Sequence, residues 1–117
     1  MIDSESLVIL EIPMKTSEIL KKAASLLQKH GWCRNTQQDE EGRMCAAGAI
    51  QKVVAGEPHH WDYGDGSPQQ LAMKAVGKVL KIGAKDPTLS VVHWNNYTCK
   101  DKAEIVRVFR AAAKLRV

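Results

Sequence analysis

"GWCRNTQQDEEGRMCAAGAI", residues 31–50, is where a first helix stops and a second begins, with neither a clean turn nor a clean strand between them. Gly31 closes the preceding run, and a tryptophan and a cysteine follow at once. Residues 33–44 are polar and charged around "EEGR", which reads as an irregular excursion or a weak hairpin. Cys45 then opens "CAAGA", whose side chains are too small to fill space on their own. A helix built of such residues gains stability by letting another backbone approach. The stretch therefore points to a mainly α fold with one polar interruption.

On the N-terminal side, the spacing predicts a helix over residues 16–30. Thr16 or Ser17 can cap it, Glu18 suits its positive end, and Ile19, Ala23, Leu26, Leu27 and His30 form its apolar stripe. Gly31 is placed as the left-handed terminator, with Trp32 folding back onto Leu27. Before it, residues 6–12, "SLVILEI", stop at Pro13 and suit a short edge strand, although a turn or two of helix fits as well.

On the C-terminal side, a second helix is expected over residues 44–55, ending at Gly56. A third opens with Ser67 as N-cap, Pro68 at its first position and Gln70 three residues after the cap. Ala72, Ala75, Val76, Val79 and Leu80 form its buried face and Gly83 its end. Asp86 and Pro87 repeat the start signal for a short fourth helix, with a strand as the alternative because of Val91 and Val92. A last helix begins at Asp101 with Glu104, burying Ile105, Val108, Phe109, Ala112 and Leu115 while Arg107, Arg110 and Lys114 face out. Interior glycine costs about 1 kcal/mol relative to alanine. Gly48 and Gly77 are thus expected where the second and third helices cross closely.

The 117 residues fit one domain, 1–117, with a helical core over 16–114 and residues 1–15 as an extension. Its fold class is mainly α, a compact domain of four to five short helices with a short N-terminal strand or hairpin. Apolar runs are too short for a membrane span, and the acidic N-terminus is the reverse of a secretory signal. Three cysteines without a close pair argue for free thiols and a cytoplasmic setting. The net charge of +4 is too mild to make nucleic-acid binding the default.

"AASLLQKHGWC", "GRMCAAGAI" and "VVHWNN", in that order before a capped helix, resemble an uncharacterised small domain family of actinobacteria and their phages. The resemblance runs over residues 16–114. Trp32, Cys33, Cys45, Gly48, Ala49, Trp94 and Asn95 match its GWC, CxxGA and WN elements, and Asn96 stands where that family has aspartate. It implies a helical fold and a phage or bacterial origin, and no activity.

Cys45 supports two readings, a nucleophile or a packed small residue. A thiol at a helix N-terminus is biased toward thiolate, and His93 with Asn95 would complete a hydrolase or transferase arrangement. Against this, free cysteine behaves as a small buried hydrophobe, and packing is the favoured reading. Cys33, Cys45, Cys99, His59 and His60 lack the close ligand pairs of a structural zinc site, so neither metal nor cofactor is expected. Lys74, Lys78 and Lys81 share one sector of the third helix, as a solvated face or a weak contact for an anionic partner such as nucleic acid. His59, His60, Trp61 and Tyr63, together with Trp94 and Asn95, concentrate aromatic and polar groups of the kind that anchor interfaces. The function expected is a non-catalytic binding protein whose partner is another protein or a second copy of itself.

Overall fold

The computed structural model describes residues 15–59, 66–82 and 86–115. Five helices follow in order: α1 (Thr16–His30), α2 (Ala46–Ala55), α3 (Pro68–Leu80), α4 (Pro87–Tyr97) and α5 (Lys102–Ala113). α1 packs most extensively on α5 and also meets α2 and α3, while α4 lies against α3 and α2. Their shared core holds Ile19, Leu20, Leu27, Ile50, Met73 and Phe109, all fully buried. The fold class is the mainly α one expected, with no sheet among the described residues. The strand foreseen over residues 6–12 lies outside them.

Three helices carry the caps expected of them. Ser67 Oγ accepts the Gln70 N–H at 3.2 Å, Asp86 Oδ1 accepts those of Thr88 and Leu89, and Asp101 Oδ1 accepts that of Glu104 at 2.9 Å. Glu104 returns the favour one residue early, accepting the Lys100 N–H at 2.7 Å. Gln70 returns nothing, because its buried Oε1 has no partner among the described residues.

Several expectations need correction. α1 begins after Lys15 with no side-chain cap, so neither Thr16 nor Ser17 serves. His30 is exposed, and Leu20 and Ala24 complete the buried stripe instead. Gly31 has φ 98° but ψ 169°, an extended exit rather than a left-handed helical one. That geometry carries the chain straight into a bridge between Trp32 and Met44, where the Gly31 carbonyl accepts the Met44 N–H at 3.1 Å. α2 starts at Ala46 rather than Met44, with Cys45 as its N-cap. α3 stops at Leu80, and Lys81 takes the left-handed position at φ 59°, ahead of the expected Gly83. The Ile82 N–H closes that end on the Gly77 carbonyl at 3.0 Å. Leu115, expected inside, is 37% exposed.

Gly48 and Gly77 do not face each other. A Cβ on Gly48 would fall on the Gln37 carbonyl oxygen, with the Gln37 carbonyl carbon at 2.9 Å. Among the described residues, a Cβ on Gly77 would meet only the Ile82 carbonyl, at 3.8 Å. Gly48 thus admits the preceding loop, not a neighbouring helix. The Gln37 carbonyl is held at the start of α2 because it accepts the Cys45 N–H at 3.1 Å.

Candidate functional site

The 31–45 loop is riveted to α4 by one asparagine. Asn95 is fully buried. Its Oδ1 accepts the Trp32 indole N–H at 2.7 Å and the Ala46 backbone N–H at 2.9 Å. Its Nδ2 donates to the Cys33 carbonyl at 3.2 Å and to Asn96 Oδ1 at 3.0 Å. Both acceptor and both donor positions of the amide are thus filled. Ala46 is the first residue of α2, so Asn95 satisfies one of the helix-end N–H groups that have no partner within the helix itself. Around this centre, the Asn35 N–H donates to Asn96 Oδ1 at 2.8 Å. Arg34 donates to the Cys99 carbonyl at 2.6 Å and lies 4.5 Å over the Trp32 ring, adding a cation–π contact.

The Asp39–Arg43 turn closes the loop's far end through a 2.6 Å ion pair. Desolvation pushes the Asp39 carboxyl up, but the Arg43 hydrogen bonds and charge outweigh it and hold it below the ordinary carboxylate range.

The three candidate catalytic residues are placed apart in role. Cys45 is 5% exposed, and its sulfur accepts the Gly48 N–H at 3.3 Å as the α2 cap. Burial pushes its thiol up, against the pull of the Gly48, Ala47 and Cys45 amides, which is the reverse of an activated nucleophile. It borders a cavity of 140 Å³ with Gln37, Ala47, Val92 and Asn96. His93 does not line that cavity. It is exposed on the outer face of α4, its ring 4.9 Å from that of Tyr97. Residues two apart on a helix do not share a face, so His93 and Asn95 point different ways.

That outer face borders a groove of 840 Å³ between α4 and the end of α3, lined by Leu80, Ile82, Leu89, His93, Trp94 and Tyr97 among others. Leu89 is 66% and Tyr97 74% exposed, whereas Trp94 is 5% exposed at its floor. Of the other expected binding residues, His59 is exposed and its N–H donates to Glu57 Oε1 at 2.7 Å. His60, Trp61 and Tyr63 lie outside the described residues. Lys74, Lys78 and Lys81 are exposed on and just beyond α3, and none of them lines the groove. Among the described residues no three His, Cys, Asp or Glu side chains gather as a metal site, and no helix is long and apolar enough to cross a membrane.

Sequence reasoning missed the Trp32–Asn95–Ala46 link and treated Asn95 as chemistry. The signal was present in "HWNN", an amide pair in a helix otherwise apolar on its inner side. Its partners, however, lie far back in the sequence.

Residues 11–115 match the model of a family of unknown function (DUF6197), and the chain belongs to that family. No curated protein and no solved structure matches the chain.

Proposed function

With membership of a family of unknown function as the premise, we propose that the protein is a small non-catalytic interaction module. Its α3–α4 groove engages another protein surface, and the surface that fits is a second copy of the same chain.

The observation that carries this is α4 itself. Its eleven residues, "PTLSVVHWNNY", include no Asp, Glu, Lys or Arg in a chain where these make up 26%. Val91, Trp94 and Asn95 are buried inward, and Leu89 and Tyr97 stand out into solvent. An uncharged helix that buries one side and exposes large apolar groups on the other belongs between two partners, and charge depletion with an exposed aromatic marks the centre of an interface. Leu89 and Tyr97 sit four residues either side of His93. A two-fold axis at His93 therefore sets Leu89 of one copy against Tyr97 of the other. Two bodies of charge +4 also approach most cheaply through an uncharged face. A bacterial or phage-encoded cytoplasmic setting belongs to the same reading and rests on the sequence motifs. A thiol enzyme built on Cys45, His93 and Asn95 gains no support from their placement.

Sedimentation velocity across a concentration series tests the proposal. Wild type should show a concentration-dependent dimer. Leu89→Asp and Tyr97→Asp should each shift it to monomer with unchanged helical circular dichroism. A wild type that stays monomeric throughout, or a dimer indifferent to both substitutions, overturns it.

A further inference from the structure

A second groove runs on a different side of the molecule, between α5 and α1. Its volume is 480 Å³, and its ionic lining is entirely cationic: Lys102, Arg107, Arg110 and Lys114, with Gln28 of α1 on the opposite wall. All four cations are exposed. The ion pairs among the described residues belong to Arg43 with Asp39 and Glu41, so none of the four has an anionic partner there. Like charges three and four residues apart repel by a few tenths of a kcal/mol each, so the fold gains nothing from the arrangement.

The geometry is linear. Positions 103, 106, 107, 110, 111 and 114 form one stripe along α5, with Ala103, Val106 and Ala111 as a shallow floor beneath the cations. At 1.5 Å per residue, Lys102 to Lys114 spans roughly 18 Å. Lys102 Nζ is anchored at one end by the Gln28 carbonyl at 3.4 Å. Guanidinium groups match phosphate oxygens in a two-pronged geometry that a lysine alone does not offer.

We infer that the α1–α5 groove binds the phosphate backbone of a nucleic-acid duplex without reading its sequence. The floor of alanine and valine offers no aromatic anchor of the kind that carries protein interfaces, which disfavours an acidic protein. It likewise offers no stacking platform for unpaired bases, which disfavours a single strand. What remains is a row of cations facing a row of phosphates.

The test is fluorescence anisotropy with short blunt duplexes of arbitrary sequence, one of DNA and one of RNA, titrated from about 50 to 200 mM salt. Four contacts predict a log–log salt slope of about −3.6 on duplex DNA. The combined variant Arg107→Gln, Arg110→Gln, Lys114→Gln should bind at least roughly tenfold more weakly and lose most of that slope. The matching variant Lys74→Gln, Lys78→Gln, Lys81→Gln should bind as wild type does. Circular dichroism of both variants checks that they are folded. The DNA and RNA arms decide which duplex is preferred, and binding of either supports the inference. No binding to either duplex at the lowest salt overturns it, as does equal weakening by both triple variants. Retention of polyglutamate in place of the duplexes would assign the groove to an acidic protein and overturn it too.

Discussion

In the 31–45 loop the Trp32 indole and both guanidinium groups, of Arg34 and Arg43, are engaged within the molecule, whereas on the outer face of α4 large apolar groups stand in water. The two regions are joined, since Asn95 and Asn96 hold the loop from the same helix that presents Leu89 and Tyr97. The loop carries the tryptophan, cysteines and asparagine contacts that look like chemistry in the sequence, yet they are spent on holding the chain. The α4 face carries His93, which looks reactive in the sequence but stands apart from Cys45, beside the exposed apolar groups of Leu89 and Tyr97.

The contrast is broken most severely at Asn95. Asn95→Ala would leave the Trp32 indole N–H, the Ala46 N–H and the Cys33 carbonyl without their partner at once. At the usual cost of an orphaned buried group, that amounts to about 3–5 kcal/mol. Urea denaturation should show it as a large drop in midpoint at constant m-value. A midpoint near wild type would mean that water replaces the amide and that the loop is not held as described.

Gly48→Ala comes next. The added Cβ meets the Gln37 carbonyl, which is backbone and cannot swing aside, so overpacking should cost roughly 1–3 kcal/mol. Thermal melting measures it, and Gly77→Ala, whose Cβ meets an ordinary contact, is the internal comparison. Equal melting of the two would remove the loop from the role given to Gly48.

The smallest effect sharpens the comparison through pH. Cys33 points its thiol at the Arg43 and Thr36 carbonyls, 3.2 and 3.5 Å away. Burial, then the neighbouring Cys45 and Asp39, push it from 9.0 up to about 11. Between those values the folded chain keeps a proton that the unfolded chain has lost. Stability is therefore full below pH 9 and falls as pH rises toward 11. With partial exposure discounted, the loss attributable to Cys33 is about 1 kcal/mol. Denaturation of wild type and Cys33→Ala under reducing conditions should show a shallower alkaline decline in the variant. Parallel declines would detach the thiol from loop stability.

The sequence made the helices legible because their signals are local. Ser67, Asp86 and Asp101 cap the helices they were expected to cap, within three residues of the cap itself. Gly48 was legible as a close-approach residue, but its neighbour was not, since nothing local says whether a loop or a helix arrives there. The same limit hid the Asn95 network and the α5 groove. Arg107, Arg110 and Lys114 were readable as outward-facing, yet a groove needs a second wall, and Gln28 supplies it from the other end of the chain. His93 and Cys45 fell in a suggestive order that three-dimensional placement does not join.

The span of the Asn95 contacts has a kinetic consequence. Trp32 and Asn95 are 63 residues apart, and Ala46 and Asn95 are 49 apart, whereas the helices close over a few residues each. Contacts of such long reach need much of the chain brought together first, so the Asn95 links are expected to close late in folding. The asparagine is a latch fastened late. Loosening it should leave the refolding rate nearly untouched and hasten unfolding, so that what Asn95 governs is how long the molecule stays folded rather than how fast it gets there.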